Sequence, residues 1–280
     1  MPELAAARSP ASAAGTQTIQ RAAQLLRLIT AHNRIGIRLV ELYRKAGLER
    51  PTAHRILQGL IAERLVRQDV ETRRYHLGAL VYEMGLAAAP PLSLRDICWP
   101  HMKRLAQATG DTLYLTVRSG LDSVCVGRTA GVHSLRLLVH DVGRHRPLNV
   151  GAGGIALMAT LDDEEIERLC RANAERTLRK NPRYSESALL RDIARTRQRG
   201  YSFIQVLESP TAFSLGMAMR YPDGHAAAAI SWTGPAERLD GRRTADLLPV
   251  MADSVRAIEI DLAREVGCAP PPPAQPFQVQ

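Results

Sequence analysis

The run AGLERPTAHRILQGL at residues 46–60 decides how the chain is read. Gly47 is placed to stop a helix, because glycine enters the left-handed conformation of a helix end at little cost. Pro51 follows four residues later, suited to the first turn of the next helix, where its missing N–H costs nothing. At 100° per residue, Ala53, Ile56, Leu57, Leu60 and Ile61 gather on one face of that helix. Arg55, Gln58 and Ala62 fall opposite, with Thr52 and His54 at the flanks. The run therefore holds a helix stop, a tight turn and a second helix that shows Arg and Gln outward.

Working outward, residues 17–33 repeat Ala22, Leu25, Leu26 and Ile29 at helical spacing. Residues 37–46 carry Leu39, Leu42 and Tyr43 on one side. After the third helix, Leu65–Gln68 and Arg74–Leu77 alternate like strands around residues 69–73. Three short helices and a basic hairpin predict a winged helix-turn-helix over residues 17–78. A helix about 11–12 Å across fits the major groove of DNA, where Arg pairs with guanine and Gln with adenine through two hydrogen bonds each. Arg73 and Arg74 near the hairpin tip suit phosphates or the minor groove. A helical hairpin docked on another domain is the alternative use of the same periodicity.

Composition agrees. The chain has 280 residues, enough for about two domains. Its formal net charge is +9, with a sequence pI near 9.9. Residues 1–90 hold 13 Lys and Arg against 7 Asp and Glu, so the first third carries +6 of that excess, the footprint of an anionic partner. Aromatic residues are only 4%, so the cores must rest on Leu, Val, Ile and Ala. No apolar stretch reaches the roughly 18 residues a membrane helix needs, and residues 1–16 lack the apolar centre of a signal peptide. Four scattered cysteines without CxxC spacing read as reduced thiols of a cytoplasmic protein.

Residues 1–16 read as a disordered arm, 79–91 as a linker helix ending at Pro90-Pro91, and 268–280 as a disordered Pro-rich tail. From residue 92 to 267 helical patterns alternate with strand runs at 112–118, 123–128, 134–140, 201–207, 215–220 and 225–233, and a long helix closes at 244–266. Strands joined by short turns and flanked by helices predict an α+β domain. Gly151-Ala152-Gly153-Gly154 formally opens a dinucleotide fingerprint, but Pro147 spoils the strand that should precede it. A helix start whose N–H groups face a small anion or carboxylate is the better reading. His133, His140, His145 and Asp141 match no standard metal spacing. GxSxG, P-loop, HExxH and paired CxxC motifs are all missing, so no cofactor, metal or catalytic residue is expected.

Several of these segments together resemble one family. Residues 46–60 are similar to the recognition segment of IclR-type bacterial transcriptional regulators. Tyr75-His76-Leu77-Gly78, the Gly151-Ala152-Gly153 helix start, Arg199-Gly200-Tyr201 and Ala229-Ile230-Ser231-Trp232-Thr233-Gly234-Pro235 match too, in family order, from about Thr18 to Gly267. The resemblance implies a winged-helix DNA-binding domain, a linker helix and a GAF-like effector domain that binds a small organic acid. It also implies a homodimer or homotetramer on palindromic operator DNA. By the match, Thr52, His54 and Arg55 contact DNA; Arg38, Arg50, Gln58, Arg73 and Arg74 complete the candidate set. The effector pocket would be lined by Leu135, Leu148, Gly151, Ala152, Gly153, Ser214, Gly216, Ser231 and Thr233. Members usually carry acidic residues after Arg-Gly-Tyr; here the run is Ser202-Phe203-Ile204-Gln205-Val206-Leu207, which implies a larger, partly apolar or aromatic carboxylate as the effector of a regulator that controls catabolic genes. The rival readings are a DNA-binding regulator without ligand sensing, and a small-molecule enzyme whose basic N-terminus docks a partner. No nucleophile–base pair can be named for the second.

Overall fold

Buried Leu25, Ile29, Leu42, Leu57 and Tyr75 come from separate segments of the first third of the chain and share one core. The computed structural model describes residues 16–88, 93–129, 131, 142–207, 211–238 and 241–267. The chain divides into two compact units, Met1–Ala89 and Pro90–Gln280. The expected arm (apart from Thr16), the tail and the strand run at 134–140 lie outside the described residues.

The first unit runs α1 (Thr16–His32), α2 (Leu39–Ala46), α3 (Arg50–Ala62), β1 (Val66–Gln68), β2 (Tyr75–Leu77) and α4 (Ala79–Ala88). Gly47 ends α2 at φ 63°, and the Leu48 N–H returns to the Tyr43 carbonyl at 2.9 Å, the bond that closes a glycine helix stop. At the other end of α2, the Glu41 carboxylate accepts the Arg38 N–H at 3.1 Å. Arg38 has no side-chain acceptor to return the favour, so the cap is one-sided. Asp69 organises the wing: its carboxylate accepts the Thr72 N–H and the Thr72 hydroxyl, both at 2.7 Å, and these bonds lower its pKa. Gly78 leaves the wing against the chain that entered it. A Cβ there would stand 2.0 Å from the Arg64 carbonyl oxygen, which also receives the Leu80 N–H. α4 buries none of its residues; Tyr82, Met84 and Leu86 are 70%, 53% and 59% exposed.

The second unit is one antiparallel sheet. It comprises β3 (Leu113–Ser119), β4 (Asp122–Thr129), β5 (His145–Pro147), β6 (Ser202–Gln205), β7 (Ala212–Arg220) and β8 (Ala226–Pro235), in the order β5-β4-β3-β8-β7-β6. α5 (Leu94–Thr109) and α9 (Gly241–Glu265) cover one face over Leu113, Leu115, Leu215, Met217, Ile230 and Trp232. α6 (Ala152–Met158) lies on the other face, with α7 (Asp163–Lys180) and α8 (Glu186–Arg199) completing a second core around Leu157, Leu169 and Ile193. The α+β class is as expected. Three details differ. Pro147 does not prevent a strand: it ends the short edge strand β5 opposite Asp122, where a missing N–H is tolerated. α7, which acidic residues in its first turn and helical spacing predict over residues 162–173, runs seven residues further, carried by buried Thr177 and the Glu175–Arg179 pair. β7 begins at Ala212 rather than Leu215, pairing with β8 as far as Pro235.

β6 forms the edge of the sheet opposite β5 among the described strands. Arg199, at the end of α8, lies along it: Nε donates to the Tyr201 carbonyl at 2.7 Å and Nη2 to that of Phe203 at 3.3 Å, with the guanidinium 4.5 Å from the Tyr201 ring centre.

Gly78→Ala forces a methyl into a backbone carbonyl that cannot yield. We expect it to destabilise the N-terminal unit by about 1–3 kcal/mol or more, read from its thermal or urea transition.

Candidate DNA interface and effector site

The outward side of the first unit holds an open groove of about 730 Å³ between α2, α3 and the wing. α3 contributes Arg50, His54 and Gln58, one turn apart; α2 contributes Tyr43 and its leading Arg38; the wing contributes Gln68, Glu71, Thr72 and Arg73. Five of the eight candidate DNA residues thus line one concave surface. His54 Nε2 and Gln58 Nε2 approach to 3.5 Å across one helical turn. Three arginines face a single acid, Glu71, so the lining is electropositive. Arg55 stands exposed just outside the groove, about 100° round the helix from His54, and Thr52 is half-exposed on the far flank.

Arg74 does not behave as expected of a tip cation. Its guanidinium turns inward and donates to the Gly36 carbonyl at 2.8 Å, bracing the wing against the turn between α1 and α2. Arg73 takes the left-handed conformation, φ 56°, and its side chain is exposed where that of Arg74 is half-buried. The exposed wing cation is therefore Arg73. The sequence reading missed Tyr43, Gln68 and Glu71. Tyr43 shares the apolar stripe of α2, and its place on the groove rim depends on how the wing folds back.

In the second unit the first turn of α6 lies directly on the sheet. Gly151 enters it at φ 85°, ψ 154°, a conformation open essentially to glycine. A Cβ on Gly216 would sit 2.8 Å from the Ala152 carbonyl carbon and oxygen, and one on Gly154 would sit 2.2 Å from the Leu148 carbonyl oxygen. Ser202 Oγ donates to the Ala152 carbonyl at 2.8 Å. Beneath this helix the sheet presents hydroxyls. Ser214 donates to the Trp232 carbonyl at 2.8 Å and lies 2.9 Å from Thr233 Oγ1, so the Thr233 hydroxyl donates to it. Thr116 and Ser231 differ. They are 5% and 4% exposed, and no hydrogen bond engages either hydroxyl among the described residues. Both lie against Gly153, whose Cβ would meet Thr116 Oγ1 at 3.1 Å and Ser231 Oγ at 3.5 Å. Neither hydroxyl is among the fully buried atoms that lack a partner, so each stays open to a polar group of a ligand.

The structure thus brings Gly151, Ala152, Gly153, Ser214, Gly216, Ser231 and Thr233 together. Leu148 is fully buried in the core around α6. Leu135 lies outside the described residues. Thr116 and Ser202 were missed, although each occupies every second position of a strand run. The dinucleotide reading fails on topology, since β5 runs antiparallel to β4 and no parallel strand follows α6. Among the described residues no cluster of His, Cys, Asp and Glu could hold a metal, and no helix is long and apolar enough to cross a membrane. His133, His140 and Asp141 lie outside them. Burial pushes the Cys98 thiol up to about 12 and the Cys170 thiol up to about 11, so neither is a nucleophile near neutral pH.

Two family models match the chain: the IclR helix-turn-helix domain over residues 18–70, and the C-terminal domain of the bacterial transcriptional regulator IclR over residues 87–260. The chain belongs to the IclR family. The HTH-type transcriptional regulator BhcR of Paracoccus denitrificans is 28% identical over 91% of this chain and 88% of its own. The transcriptional repressor IclR of Escherichia coli is 25% identical over 91% and 93%. An IclR homologue from Microbacterium hydrocarbonoxydans, solved in complex with 4-hydroxybenzoate, shares the fold with a TM-score of 0.71 over 89% of this chain and all of that one, at 20% identity. The relatives are transcriptional regulators, so this IclR-family chain is a DNA-binding transcriptional regulator and not an enzyme.

Arg55→Ala should weaken specific operator binding by about 1–3 kcal/mol in a gel shift if the guanidinium reads a base edge. Arg73→Ala should weaken binding to all sequences alike and reduce the salt slope by about one. Arg74→Ala should instead lower the melting temperature of the N-terminal unit, because it removes a brace.

Proposed function

We propose that this regulator binds a palindromic operator in the cytoplasm as a symmetric oligomer and changes its DNA affinity when a small, partly apolar or aromatic carboxylate occupies the site beneath α6. It would thereby control catabolic genes. The observation that carries the effector reading is the pair of Thr116 and Ser231 hydroxyls, which face Gly153 and make no hydrogen bond with the described residues. The solved homologue with 4-hydroxybenzoate supports an aromatic acid as the class to test. The strand after Arg199-Gly200-Tyr201 supplies Ser202 and buried Ile204 to this side of the sheet and no carboxylate, which leaves room for an anion.

Oligomerisation rests on α4. A helix that is apolar apart from Glu83 and buries nothing needs another surface to cover it, and a second copy related by a two-fold axis supplies an identical one. Two recognition helices would then meet half-sites one helical turn, about 34–36 Å, apart. The effector acts only through its differential affinity for the states that do and do not fit this spacing, typically about 1–3 kcal/mol.

In a thermal-shift titration, 4-hydroxybenzoate should stabilise the full-length protein, by about 2.7 kcal/mol at a hundredfold excess over Kd, and Ser231→Ala should reduce that gain. Footprints of the upstream region with and without the acid should differ. No stabilisation and unchanged footprints would favour a regulator that does not sense a ligand. Leu86→Glu combined with Tyr82→Lys should lower the oligomer mass in sedimentation and weaken operator binding with it.

A further inference from the structure

Among the described residues, Arg64 and Arg73 are the two that take a positive φ without being glycine. Arg73 belongs to the wing loop. Arg64, at φ 57°, stands just past the end of α3, where its N–H returns to the Ile61 carbonyl and the Leu65 N–H to the Leu60 carbonyl, both at 2.9 Å. This is the same helix stop that Gly47 makes after α2, and glycine fills it at least cost, because a Cβ crowds the left-handed conformation. An arginine in a strained backbone position points to a use for what it carries. Here both parts of the residue reach α4. The guanidinium Nη2 donates to the Glu83 carboxylate at 2.5 Å, and the Arg64 carbonyl accepts the Leu80 N–H at 3.2 Å. Gly78 leaves the space this approach needs.

Leu80 and Glu83 lie three residues apart on one face of α4. A single residue at the end of α3 thus grips α4 at two points, and two points fix both the direction and the roll of a helix. At 100° per residue, Tyr82 and Leu86 stand about 90–130° round α4 from the gripped face, turned away from Arg64 and exposed.

We propose that Arg64 is a positioning residue that locks α4 to the recognition helix α3 and so sets the half-site spacing the oligomer accepts. This rests on the pairing through α4 and the palindromic operator proposed above, and it names what fixes the angle between them. Arg64 does not line the DNA groove. Its ion pair with Glu83 is 63% and 48% exposed, and exposed pairs add little to stability, so the tie acts on geometry. In a two-fold pair each protomer repeats the same angle, and a change at α4 moves the two recognition helices relative to one another.

The test uses the full-length protein. Wild type first selects its operator from random duplexes. Gel shifts then compare the selected operator, the same operator with two base pairs inserted between its half-sites, and a single half-site. The variants are Arg64→Gly, Glu83→Gln and the reversed pair, Arg64→Glu with Glu83→Arg; melting temperatures report folding. Wild type should prefer the selected spacing. Arg64→Gly and Glu83→Gln should each lose about threefold or more of that preference, with single half-site affinity and melting temperature kept, and the reversed pair should restore it. If Arg64→Gly or the reversed pair does not fold, Glu83→Gln decides. An unchanged preference in the folded variants, a loss matched by half-site affinity or melting temperature, or a folded reversed pair that restores nothing overturns the positioning role and leaves the palindromic reading standing. Selection of unpaired half-sites by wild type, or equal affinity for both spacings, overturns the two together.

Discussion

The effector unit depends on a close approach of backbone to backbone. Where α6 meets the sheet no side chain separates them: Gly216 faces the Ala152 peptide, Gly154 faces the Leu148 carbonyl, and Ser202 bonds across the remaining gap. A helix pressed this close cannot shift by a fraction of an ångström without collision, because protein interiors are close-packed and respond in steps. It also leaves the sheet beneath its first turn free of large side chains. That is how small hydroxylated residues come to line a buried surface at the centre of a domain whose other face is filled by Leu, Met and Trp. The chemistry of the site and the rigidity of its frame thus share one origin.

The DNA-binding unit reaches rigidity by another route. Its wing is short and would be mobile on its own, since a two-stranded hairpin is marginal in water. Three local ties hold it: the Asp69 carboxylate within the loop, the Arg74 guanidinium to Gly36, and the Gly78 backbone against Arg64. With the wing fixed, Arg73 and Glu71 face Arg38, Arg50 and His54 across a preformed groove. A surface held in this way has little conformational entropy left to lose when a ligand fills it.

Much of this was legible in the sequence, and the reasons separate cleanly. Gly47 and Pro51 mark helix ends through their own backbone preferences, so α2 and α3 could be placed within a residue or two. The buried stripe of α3 followed from helical period alone. Ser214, Gly216, Ser231 and Thr233 came from the family resemblance, yet strand alternation puts them on one face independently. What could not be read depends on contacts between distant segments. Arg73 and Arg74 are adjacent and chemically identical, and only the carbonyl of Gly36, 38 residues away, separates their roles. Pro147 looked like a strand breaker because sequence does not say which strand lies at an edge. Thr116 carries no local signal, and its meaning appears only when β3 is registered against β8.

The guanidinium of Arg199 along β6 has a consequence for the molecule as a whole. An open sheet edge offers unpaired carbonyls to any extended chain, including another copy of the same protein. Here two of those carbonyls are already occupied and the cation sits over the neighbouring ring. Backbone addition at that edge would have to displace a charged donor from two acceptors. Growth of the sheet from this edge would cost both hydrogen bonds and the cation's contact with the ring, so the arginine guards the strand in the way that inward-turned charges blunt exposed edges.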